Sequence, residues 1–140
     1  MKKTNPLTLI RTTLIAALLS LSTPAFALPP LGQDDHVTGT LVSAAIGEEI
    51  RNKCSNISAR LIRALGKARE LERYAVNQGY SEAEVKAFLK SKPERARIIS
   101  LARAYMAKNG VVEGQEATYC SLGRAEIAKG TLTGFLLFAW

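Results

Sequence analysis

Cys54 and Cys120 are the only two cysteines in a chain of 140 residues, and they lie 66 positions apart. If they pair, any fold must bring those two points to within about 6 Å of each other. Pairing depends on compartment, because thiols stay reduced in the cytosol and oxidise outside it. The start of the chain bears on that question. Lys2 and Lys3 give a basic beginning, an apolar run from Leu14 to Leu21 follows, and Ala25-Phe26-Ala27 puts small residues at the two positions a signal peptidase reads. Residues 1–27 are therefore expected to be a signal peptide cut after Ala27, and residues 28–140 a single periplasmic domain.

The apolar run is shorter than the roughly 20 residues a membrane span requires, and Pro24 breaks it. Leu28, not a cysteine, follows the expected cut, so no lipid anchor is expected and the domain reads as not transmembrane. In an exported chain, two cysteines read first as a disulfide. On the chain-entropy view, closing a loop of that length stabilises the fold by about 4 kcal/mol. A redox-active pair is the alternative, but no Cys-x-x-Cys spacing tunes a thiolate here.

Charge matters once the leader is set aside. Lys2, Lys3 and Arg11 leave with it, so nineteen basic residues become sixteen against twelve acidic ones, and the formal charge falls from +7 to about +4. No basic stretch is interleaved with aromatics, so nucleic acid is not expected as a partner. An envelope protein or an anionic envelope surface is the kind of partner that remains.

The rest of the chain reads as helices. Two prolines in residues 28–33 make an extended lead-in. Asp34 or Asp35 then caps a first helix running to about Lys53. Gly39, Ser43 and Gly47 recur every fourth position along it and predict close packing on one face. Ser55 or Asn56 is expected to cap a second, longer and central helix ending at Gly79. In it Ile57, Leu61, Ala64, Ala68, Leu71 and Ala75 follow the spacing of a buried stripe.

Ser81 with Glu84 predicts a capping box and a short helix to about Lys90. Pro93 suits the first turn of a fourth helix closed by Asn109-Gly110. A fifth is expected from Gln115 to Lys129, stopped by Gly130 and carrying Cys120 to the junction of the first two. No segment alternates as a strand of a hairpin would. The expected fold is all-α, a small bundle of about five helices with one disulfide. The apolar residues from Phe135 to Trp140 are expected to dock on it, because left free they would be a sticky patch.

Residues that could carry chemistry have simpler explanations. Asp34-Asp35-His36 resembles a metal-ligand set, but the aspartates sit where capping and the helix dipole want them, and neighbours on a helix diverge by about 100°. Glu48 and Glu49 diverge in the same way, and Glu49 is four residues before Lys53, the spacing of a surface ion pair. Neither a Gly-x-Ser-x-Gly, nor a His-Glu-x-x-His, nor a phosphate-cradling glycine loop is present. No catalytic residue, metal ligand or cofactor is called for. Arg60, Arg63 and Lys67 share one face of the second helix, and Arg95, Arg97 and Arg103 lie on the fourth. Such faces are usually solvated; the first three are the candidate contact for an anionic surface.

Four segments look familiar: Glu48-Glu49-Ile50-Arg51-Asn52-Lys53-Cys54, Ile57-Ser58-Ala59-Arg60-Leu61-Ile62-Arg63-Ala64, Gly79-Tyr80-Ser81, and above all Tyr119-Cys120-Ser121-Leu122-Gly123-Arg124-Ala125-Glu126-Ile127-Ala128-Lys129-Gly130. They resemble an exported family of Alphaproteobacteria, the domain-of-unknown-function family 5333, over nearly all of the expected mature chain. The resemblance implies a signal peptide, a helical domain and two cysteines. It supplies no activity, cofactor or functional residue. The expected function is thus a non-catalytic periplasmic binding or interaction module, with a periplasmic stress chaperone as the alternative and a cell-envelope enzyme after that.

Overall fold

The computed structural model describes residues 27–140, so the expected leader lies outside the described residues except for its last position. After a single 3-10 turn at Leu31–Gln33 come α1 (Asp35–Lys53), β1 (Ile57–Ala59), α2 (Leu61–Asn77), α3 (Glu82–Lys90), α4 (Lys92–Lys108), α5 (Glu116–Lys129), α6 (Leu132–Phe135) and β2 (Leu137–Ala139). The fold is an all-α bundle, with one short antiparallel ribbon that pairs Ile57 with Ala139 and Ala59 with Leu137.

Local chemistry sets most boundaries. Asp34 caps α1 by accepting the Val37 N–H at 2.9 Å, and its other carboxylate oxygen accepts the Tyr74 hydroxyl at 3.1 Å, holding that phenol above its ordinary pKa. Asp34→Ala should therefore lower stability by about 1 kcal/mol or more, read from the urea midpoint. Ser81 and Glu84 form the expected capping box at α3, and Ser91 caps α4 with Pro93 in its first turn. Gly79 and Gly110 take φ of +106° and +85° after α2 and α4. In each case the next N–H reaches back to the helix, Tyr80 to Ala75 and Val111 to Met106, the arrangement a left-handed terminus favours.

Two corrections concern the second helix. It starts at Leu61, after Arg60, because Ile57, Ser58 and Ala59 pair with the chain's last residues and Arg60 N–H donates to Leu136 O at 2.7 Å. A distant strand has overridden a locally helical pattern. Nor is α2 central. That place belongs to α1, which touches the 3-10 turn, β1, α2, α4, α5 and α6.

One core cluster gathers Ile46, Ile50, Ile57, Met106, Leu122 and Leu137 around the Cys54–Cys120 disulfide, whose Cα atoms are 5.2 Å apart. A second gathers Leu31, Val37, Leu71, Ala75, Tyr80 and Val85. On α1, Gly47 lies under Leu137, and the Ser43 carbonyl accepts the Thr133 hydroxyl at 3.0 Å. Gly39, expected to share that packing, faces open space. The C-terminal segment docks as expected through Leu136 and Leu137, while Phe135, Phe138 and Trp140 point outward.

Candidate functional site

The first ten residues of α2, Leu61 to Glu70, include no buried member. Only its later part, at Leu71 and Ala75, joins the core. The stripe read from the sequence thus divides. Leu71 and Ala75 are buried, Ala64 is half-buried, Ala68 is exposed and Leu61 is 71 % exposed. Ile62, one position round the helix, is 90 % exposed, and Leu65 is 53 % exposed. The three large side chains make a convex apolar ridge, with none of the described residues lying over it.

The C-terminal segment lies beside this ridge. Trp140, 66 % exposed, is 5.6 Å from the Phe138 ring centroid and shares a shallow cleft of about 340 Å³ with Leu61 and Arg51. Arg60, Arg63 and Lys67 run between the ridge and that segment. Arg60 Nε donates to the Leu137 carbonyl at 2.9 Å and its guanidinium lies 5.5 Å from the Phe138 ring. Arg63 donates to the Phe135 carbonyl at 3.3 Å and stands 4.6 Å over the Phe135 ring. Lys67 is 5.9 Å from the same ring and 2.7 Å from the Glu70 carboxylate. Charge on an aromatic face and on a carbonyl is attractive in both cases, so the three residues singled out from the sequence are brought together and hold the tail. Both arginines stay exposed, and a guanidinium has five N–H donors.

The other candidates are dispersed. Asp34 is spent on the cap and on Tyr74, and the His36 ring rests 4.4 Å from that of Tyr74. Among the described residues no three His, Cys, Asp or Glu converge on a point. Glu48, not Glu49, makes the ion pair at the end of α1, with Arg51 at 2.6 Å; Glu49 and Lys53 instead line a cleft of about 410 Å³ with Arg103, Glu113 and Tyr119. Arg97 turns inward to the Gly32 carbonyl at 2.9 Å.

Sequence reading passed over Glu126. It is 1 % exposed, accepts the Tyr105 hydroxyl at 2.7 Å and accepts that of Thr131 on its other oxygen. The first bond keeps the Tyr105 phenol above its ordinary pKa. Glu126 could have been found, because it falls at the next position of the stripe Tyr119, Leu122, Gly123 on α5.

Four surface carboxyls are held below their ordinary range by hydrogen bonds. Arg51 does this to Glu48, Lys67 to Glu70, the Ser81 backbone and hydroxyl to Glu84, and Ser55 to Glu116, whose oxygen accepts the Ser55 N–H at 2.8 Å. A lowered folded pKa gives stability that is full above the unfolded value and is lost as pH falls through the folded one. Stability should thus be steady near neutrality and decline below about pH 4. Melting curves across that range check it, and Glu116→Gln should flatten the decline.

Among the described residues no helix is long and apolar enough to cross a membrane. No curated protein and no solved structure matches the chain. Residues 29–138, which include the ridge, the disulfide and nearly all of the docked tail, match the family of unknown function DUF5333, and the chain belongs to that family.

Proposed function

We propose that the protein is a non-catalytic binding module of the cell envelope, exported through its basic and apolar leader and working in the periplasm. The observation that carries this is the uncovered ridge of Leu61, Ile62 and Leu65 beside Trp140, rimmed by Arg51, Arg60 and Arg63. Exposed contiguous apolar surface with a polar rim is costly to keep unless something binds it. The disulfide supports the address, because such bonds persist outside the cytosol.

Retention of envelope components from a periplasmic and membrane extract tests the reading, with Ile62→Asp protein as the matched control. Wild type should retain a component that the variant loses. Equal retention by both, together with release of fragments from peptidoglycan, would make the protein an envelope enzyme instead.

A second reading, a periplasmic stress chaperone, draws on the same ridge and on the low-pKa carboxyls Glu48, Glu70, Glu84 and Glu116, whose protonation in acid would loosen the bundle. Suppression of client aggregation at about pH 3 and not at neutral pH would favour it.

A further inference from the structure

We infer that the ridge of α2 with Trp140 is the face by which the protein lies on a phospholipid bilayer carrying anionic headgroups. This rests on the reading of the protein as a binding module and names what the module binds. The shape is the first argument. A groove accepts a peptide or a helix, whereas Ile62, at 90 % exposure, is the crest of a convex edge on a half-helix that stands clear of the core. A soft interface can receive a convex apolar edge without a matching cavity.

Charge is the second argument. From residue 60 to residue 70 the chain carries Arg60, Arg63, Lys67 and Arg69 against a single acid, Glu70, which is paired with Lys67, so the surplus is the three arginines. Arg51, paired with Glu48, lines the cleft of Leu61 and Trp140 without adding to that surplus. Cations flanking apolar and aromatic side chains match the two layers of an anionic bilayer surface, with headgroup phosphates outside and acyl chains beneath. The long stems of Arg63 and Lys67 let their charges stay at headgroup level while Leu61 and Leu65 go deeper. A second copy of the chain fits less well, because its own cluster of cations would meet this one.

The aromatic residues are the third argument. Trp140, tilted against the Phe138 ring, lies beside Leu61 at the edge of the ridge, and an indole, apolar with one N–H, favours the membrane interface. Trp140 is also the only tryptophan in the chain, so its emission reports on this face alone.

The test uses the exported, disulfide-bonded protein with vesicles of phosphatidylcholine, with and without phosphatidylglycerol. Phosphatidylglycerol vesicles should co-sediment the protein and shift Trp140 emission to the blue, and added salt should reverse both. Ile62→Asp, at an exposed site and with circular dichroism as the check that it stays folded, should weaken partition by about tenfold or more. Arg63→Gln should weaken it by about fivefold.

An unshifted Trp140 with phosphatidylglycerol vesicles, or equal binding to neutral ones, would overturn the inference. So would a dimer in solution that Ile62→Asp dissociates, which would make the ridge a self-interface. If vesicles fail while an envelope protein is retained in a manner that depends on Ile62, the lipid assignment falls and the binding module stands.

Discussion

Removing the disulfide should lower the stability of the protein by about 2–5 kcal/mol, measured by urea unfolding of the Cys54→Ser, Cys120→Ser double variant. The bond closes a loop of 66 residues that includes α2, α3 and α4. Without it, the unfolded chain recovers the freedom that loop had lost. Location adds to the effect. Cys54 is the buried residue that terminates α1, and Cys120 lies on α5 beside the core residues Tyr119 and Leu122. The bond therefore ties the central helix to the one that carries the tail, and Glu116 reinforces the same junction by accepting the Ser55 N–H. Wild type unfolded in reductant should have the midpoint of the double variant. Two thiols open to alkylation in natively exported protein, or a midpoint that ignores reductant, would refute the assignment.

What could be read in advance follows the range of the forces involved. Asp34, Ser81, Pro93, Gly79 and Gly110 marked helix ends because capping and left-handed turns are satisfied within a few residues. Ile57-Ser58-Ala59 continued the helical stripe in sequence, and the strand that claims them, Leu137 to Ala139, lies about eighty positions on. Spacing on α2 gave the direction of an apolar face. It could not say which part another element would cover, and here cover reaches Leu71 and Ala75 and stops short of Leu61. Arg60, Arg63 and Lys67 were visible as a group, but the tail that they grip was not, because contacts between a helix start and a chain end leave no periodic trace.

Gly134→Ala should unfasten the whole C-terminal segment, at a cost of about 3 kcal/mol or more. A Cβ built at Gly134 would fall far inside van der Waals contact distance of the Glu126 carbonyl and 2.6 Å from Ile127 N. Those are backbone atoms of α5, and they cannot turn aside as a side chain could. To admit a methyl group, α6 must lift from α5. That movement would strain the hydroxyl bond of Thr133 to Ser43 and the contact of Thr131 with buried Glu126. It would also draw Leu137, 1 % exposed, out of its place over Gly47, and take β2 away from β1. Burying a leucine is worth about 2 kcal/mol, so the steric cost and the lost burial act together. The expected fall in melting temperature is about 10 °C or more, with a rise in hydrophobic dye binding as the core beneath the tail is uncovered. Deleting residues 135–140 should give a similar fall, and adding Gly134→Ala to the deletion should add little, since both remove the same docking. A truncated protein that melted at the wild-type temperature and was more soluble would show that the tail contributes nothing to the fold, and Gly134→Ala would then owe its effect to α5 alone.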